Sequence, residues 1–178
     1  MSRPPTAVNL LETAVALVEA GGPDALTVRR VSEAVGMSTI GIYSHFASKE
    51  GLVGAVWGVG FSRITAQLSG VESTGVDRVV ELATRYLDWA RRHPHLYGIM
   101  FGRTVTAMTV DDEERASSRA AFDVLVDACT GLVADPEATA LTVWQYLHGV
   151  AALEIAAMTP PGLGSTNHPM LAVRRLIG

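Results

Sequence analysis

Gly36 separates two short helical segments in VRRVSEAVGMSTIGIYSHF, residues 28–46, and supplies the backbone freedom that a tight turn between them needs. Thr27 is placed to cap a helix running to about Val35, and Ser38 to cap a second over residues 39–45. Small Ser32 suits the point where the helices cross, with Val31, Val35, Ile42 and Phe46 packing the crossing. The second helix then exposes Ser38, Thr39, Gly41, Tyr43, Ser44 and His45, with Arg29, Arg30 and Lys49 at its edges. Hydroxyls, amides and helix N-termini hold phosphates, and Arg with short polar groups reads base edges in a major groove. The pattern alone fits equally well a polar helical hairpin on a soluble bundle.

The rest of the chain is patterned for helices. Leu11, Ala14, Val15 and Val18 recur on one face of a first helix that Gly21-Gly22-Pro23 stops. Ser48 caps a longer helix with Glu50 in its first turn, through Trp57 and Phe61 to about Ser69. A loop at 72–75 precedes a helix over 76–92 that buries Val79, Val80, Ala83, Leu87 and Ala90. His93-Pro94 breaks it and starts a short helix over 94–101. A threonine-rich connection at 102–112 leads to long helices over 112–133 and 136–158. A Pro/Gly/Ser/Thr linker at 160–169 precedes a final short helix to Ile177. No segment alternates with strand period and no repeat is present, so the expected fold is all-α.

Composition narrows the class. In 178 residues, 48% are hydrophobic and 18% charged, with a mean hydropathy of +0.26. That is too apolar for a disordered tail and hints at buried surface beyond one monomer's core. The formal net charge of -4 argues against a non-specific DNA coat. Within residues 27–49, however, Arg29, Arg30 and Lys49 face only Glu33, a local basic island. One cysteine, Cys129, cannot form an intramolecular disulfide. The N-terminus lacks a signal-peptide core, and the longest apolar stretch, 149–158, is short and contains Glu154. The expectation is a soluble, cytoplasmic protein without a membrane span.

The run TVRRVSEAVGMSTIGIYSHFASKEGLVGAV resembles the DNA-binding signature of the TetR family of bacterial regulators. Gly36-Met37-Ser38, Ile42-Tyr43-x-His45-Phe46 and Lys49-Glu50-x-Leu52 fall in family register, and the match covers residues 10–56. The resemblance implies a three-helix DNA-binding domain at residues 1–50 and a helical effector-binding and dimerisation bundle at 51–178. It implies a homodimer on double-stranded, pseudo-palindromic operator DNA, with residues 39–45 of each subunit in successive major grooves. By position, Thr27, Tyr43, His45 and Lys49 would hold phosphates, Arg29 would reach a base, and Thr39, Ile40 and Gly41 would face bases. Ser38 and Ser44 complete the set. Gly41 and Ser44 depart from commoner members, where larger side chains stand, which lowers the number of direct base contacts expected.

Further along, HPHLYGIMFG and WQYLHGVAALEIA resemble a C-terminal subclass with a Trp-x-x-x-His-Gly signature, here Trp144, His148 and Gly149. The family's bundle binds a small ligand, here expected to be hydrophobic. Trp89, Tyr97, Phe101 and Trp144 are the candidate apolar contacts, and Gln145 and His148 the polar anchors. For each aromatic taken singly, the reading as an ordinary core residue is favoured. Gly149 would allow a close helix approach. Glu154, amid Ala and Ile, needs a partner if buried and otherwise belongs on the surface or a dimer rim. The last two long helices are the expected dimer face. The expected regulator is a repressor released by its ligand, the alternative a ligand-independent activator or architectural DNA binder.

Enzymatic readings find little support. His93, His95 and His148 lack the Cys or carboxylate spacing of a metal site. Gly-x-Ser-x-Gly is absent, and Gly58-Val59-Gly60 lies within a helix pattern without the third glycine of a dinucleotide fold. No metal, cofactor or catalytic residue is expected. Cys129 reads as a packed helix residue, and Arg91-Arg92 as a solvated helix end.

Overall fold

The computed structural model describes residues 7–102, 112–159 and 168–178, and among these every regular element is helical, as the periodicity predicts. The connections expected at 102–112 and 160–169 lie for the most part outside the described residues. No helix among the described residues is long and apolar enough to cross a membrane. The packing divides the chain into two compact units, Met1–Phe61 with His93–Ser117, and Ser62–Arg92 with Ser118–Gly178.

The first unit begins with α1 (Ala7–Gly21), which buries Leu10, Ala14, Val15 and Val18 on one face. A 3-10 turn at Pro23–Ala25 leads into α2 (Val28–Val35) and α3 (Thr39–Phe46). Then comes α4 (Lys49–Leu68), of which residues to Phe61 belong here. The unit also holds α6 (Pro94–Phe101), started by Pro94 at its first turn. Helix α1 packs against both α2 and α6. Glu19 on α1 ties down the start of α6 twice. His93 Nδ1 lies 2.7 Å from its carboxylate, and His95 Nδ1 donates to its carbonyl at 2.8 Å.

Helix α6 also sits tightly on α4. Buried Trp57 donates its indole N–H to the Met100 carbonyl at 2.9 Å, satisfying a polar handle that burial would otherwise penalise. One turn on, Gly60 lets the Met100 side chain cross the α4 surface. Trp57, Phe61, Phe101 and Tyr97 form a chain of rings with centroids 4.5, 5.5 and 4.6 Å apart.

The second unit centres on α5 (Gly75–Arg92), which packs against α8 (Pro136–Ile155) and α9 (His168–Ile177). Ala83 and Ala90 of α5, with Ala140 and Ala151 of α8, are buried small residues that permit close helix contact. Helix α5 buries Val79, Ala83, Leu87 and Ala90 as expected, with Val80 only half-buried. It also buries Leu82, Tyr86 and Trp89, so its apolar stripe is wider than the periodic set.

Two helices stop earlier than their patterns suggest. Helix α7 (Asp112–Cys129) ends because Gly131 turns at φ 79°, leaving Val133 outside it. Helix α8 ends at Ile155 in a Schellman motif, with Met158 N–H donating to Leu153 O and Ala157 N–H to Glu154 O. Ala157 takes the left-handed position at φ 53°. Arg91, exposed with Arg92 at the end of α5 as expected, also has a partner. It donates to both carboxylate oxygens of Glu154 at 2.8 and 3.0 Å, joining α5 to α8, and so supplies the partner that half-buried Glu154 needs. Arg174 of α9 reaches Asp77 of α5 at 2.6 Å.

At position 60 a Cβ would stand 2.6 Å from Met100 Sδ and 2.7 Å from its Cγ, inside a buried contact. Gly60→Ala is therefore expected to destabilise the protein by about 1–3 kcal/mol through overpacking, measured as a lowered midpoint in denaturant.

Candidate nucleic-acid interface

Each end of the α2–α3 pair is closed by a named group. Thr27 is extended, and its hydroxyl oxygen accepts from Arg30 N–H at 3.2 Å, capping α2. Gly36 ends that helix at φ 70°, and Met37 N–H closes back to the Ser32 carbonyl at 3.0 Å. Nothing lies within 4 Å of a Cβ placed on Gly36, so glycine is needed there for its backbone angle and not for space. Ser38 caps α3, its oxygen accepting from Gly41 N–H at 3.2 Å. Ser48 caps α4 in the same way through Gly51 N–H at 3.0 Å. A backbone N–H, and after it the Ser48 hydroxyl, hold the exposed Glu50 carboxyl below its ordinary pKa.

The pair is locked by one small polar residue and one large apolar one. Ser32 is buried and donates to the Arg29 carbonyl at 2.8 Å, so its hydroxyl is satisfied within its own helix. Ile42, 0% exposed, is the residue of α3 that enters the core. Val31 is buried with them, while Val35 and Phe46 are half-buried.

With Ile42 turned inward, α3 presents Thr39, Ile40, Tyr43, Ser44 and His45 to solvent, next to exposed Ser38. Gly41 and Thr27 are half-buried, and Arg29, Arg30 and Lys49 are exposed. Three features modify the expected interface. Ile40 is 79% exposed, a large apolar group on a face read as polar. The Ser44 hydroxyl donates to the Gly41 carbonyl at 2.7 Å and so bonds its own helix. Arg29 is held by Glu33 at 3.0 Å, both side chains largely exposed. That i,i+4 spacing was legible in the sequence and places a carboxylate beside a group expected to reach DNA.

The residues expected to meet a ligand fall in both units. Tyr97, buried, and Phe101, half-buried, lie in the first unit within the aromatic chain described above. The other four lie in the second. Trp89 is buried, and Trp144 is half-buried, stacked on His148 at 5.8 Å and edge-on to Phe122 at 6.4 Å. Gln145 is exposed. Burial pushes the His148 pKa down and the Cys129 thiol up. Among the described residues nothing lies within 4 Å of a Cβ placed on Gly149, so they make no close helix approach there. His93 and His95 serve the α1–α6 contact. Among the described residues no group of three or more His, Cys, Asp and Glu could hold a metal ion.

A family model described as bacterial regulatory proteins, tetR family, matches residues 10–56. A second, described as the tetracyclin repressor-like C-terminal domain, matches residues 79–173. The chain belongs to the TetR family. Members are DNA-binding transcription factors and not enzymes; they bind operator DNA and dimerise. Among solved structures, a Rhodococcus sp. RHA1 protein of unknown function is 25% identical, with TM-score 0.80 over 96% of this chain and 92% of that one. A TetR transcriptional regulator from the same organism is 19% identical, with TM-score 0.71 and the same coverage. The fatty acid degradation regulator FadR from Bacillus halodurans is 15% identical, with TM-score 0.72 over 100% and 97% of the two chains. The last two likenesses bear on the fold alone. No curated protein matches the sequence.

For this TetR-family regulator two expectations follow. Glu33→Gln removes a negative charge beside Arg29. It should leave stability within about 0.5 kcal/mol, while anisotropy titrations show tighter binding to any duplex at low salt and no gain at high salt. The lowered His148 pKa means that the unfolded chain takes up that proton first as pH falls. The stability contribution is complete above the ordinary histidine pKa and is lost as pH drops through the lowered one. Between about pH 7.5 and 5.5 the thermal midpoint of the parent should therefore fall further than that of His148→Gln.

Proposed function

We propose that the protein is a homodimeric, sequence-specific repressor that leaves its operator when a small apolar ligand binds. The observation that carries the reading is the outward face of α3, Thr39 to His45, fixed by Ile42 beneath it and by a cap at each end. Residues 1–50 are the DNA-binding part and 51–178 the effector and dimerisation part. Arg29 and Thr39–Gly41 face bases, and Thr27, Tyr43, His45 and Lys49 grip phosphates. Ser38 and Ser44 shape the helix from its first turn, through their bonds to Gly41.

Dimerisation is assigned to α7 and α8. Leu141, Gln145, Gly149 and Leu153 recur every four residues on α8 and are all exposed in the single chain. The two leucines and the glycine of this row suit a partner helix. Within the second unit, Trp89, Trp144 and His148 are assigned as effector contacts. A ligand that favours one spacing of the two α3 helices releases DNA through a reciprocal coupling, so operator DNA must weaken ligand binding equally.

Operator selection in vitro followed by salt titration tests the assignment. Tyr43→Ala with His45→Ala should weaken binding to every sequence about equally. Lys49→Ala should lower the salt slope by about one. Arg29→Ala should cost about 1–3 kcal/mol and relax specificity at one position of each half-site. Parent-like operator binding by these variants would defeat the contact assignment. Failure of any compound in a hydrophobic library to displace the operator would defeat the ligand-released part.

A further inference from the structure

We infer that Ile40 reads the 5-methyl group of a thymine in the major groove and is a specificity-determining residue of the interface, an inference that rests on the reading of α3 as the helix that enters the groove. At 79% exposure it is the most solvent-exposed large apolar side chain among the described residues. A lone exposed isoleucine is ordinary on a protein surface; its neighbours give this one a role.

Position 41, beside it, offers no side chain, and a Cβ there would meet Met37 Cε at 2.8 Å. The Ser38 oxygen accepts from Gly41 N–H, and the Ser44 hydroxyl donates to Gly41 O, so both are drawn into the backbone of α3. The first turn therefore offers base edges the Thr39 side chain, the Ser38 hydroxyl, which keeps its donor, and the branched butyl group of Ile40 as its one aliphatic group. A β-branched side chain on a helix holds one dominant χ1 rotamer, so its methyl groups are presented at a fixed place.

In the major groove thymine alone among the four bases displays a methyl group. Against any other base, Ile40 would cover polar edge atoms and strip their water without replacing the hydrogen bonds. A protein partner fits less well. Ile40 is the one exposed aliphatic side chain of α3, with exposed Tyr43 one turn on and Thr39, Ser44 and His45 around them, too small an apolar area for a protein interface.

The test uses the full chain and its selected operator, with each thymine of the half-site replaced in turn by deoxyuridine, which removes the methyl and keeps the base pair. At one thymine per half-site the replacement should weaken the parent about four-fold, the equivalent of one buried methyl-sized group. Ile40→Ala should bind both duplexes alike at that position, with an unchanged thermal midpoint because the side chain is exposed. Uracil sensitivity at no position, or equal sensitivity in Ile40→Ala, would overturn the inference and leave the regulator reading standing. If the parent selects no duplex at all, the DNA-reading proposal fails and this inference falls with it.

Discussion

The crossing of α2 and α3 sets which face of α3 the first unit presents to solvent. Ile42 points wholly into the core, and by helix geometry this fixes which residues of an eight-residue helix point out. The crossing tolerates a buried serine because the Ser32 hydroxyl bonds the Arg29 carbonyl, so no polar group is stranded. Gly36 supplies the one backbone angle that lets the second helix turn back across the first.

The same economy of polar groups shapes the chemistry of α3. Hydroxyls of Ser38 and Ser44 stabilise their own backbone, which stiffens a short helix that would be marginal in isolation. What remains for a nucleic acid is an outward set of aromatic, imidazole and apolar groups with cations around it. One of those cations, Arg29, is balanced by Glu33 in the free protein. The balance makes the surface less attractive to arbitrary phosphates than a bare basic helix, in keeping with a chain whose formal net charge is -4.

Helix α6 follows α5 in the chain yet packs in the first unit. Three contacts account for it: the Trp57 indole on the Met100 carbonyl, Met100 across Gly60, and the two histidines on Glu19. Helix α1, which packs on α2, thus also holds the start of α6. In the second unit, α5 plays the comparable part, joined to α8 by Arg91–Glu154 and to α9 by Asp77–Arg174.

By itself the sequence determined the local elements and their punctuation. Thr27, Ser38 and Ser48 announce helix starts, Gly36 a turn, and Pro94 a restart, because capping and backbone freedom are properties of a few adjacent residues. The register of Gly36, Tyr43, His45 and Lys49 likewise made the family legible. Tertiary structure decided what depends on residues far apart. It joined exposed Arg91 to Glu154, and placed Tyr97 and Phe101 in one unit and Trp89 and Trp144 in the other. It also showed that Ile40 stays in water while Ile42, two positions on, is buried. Both are isoleucines on one short helix, and the packing of α3 against α2 takes in Ile42, the one expected at the crossing.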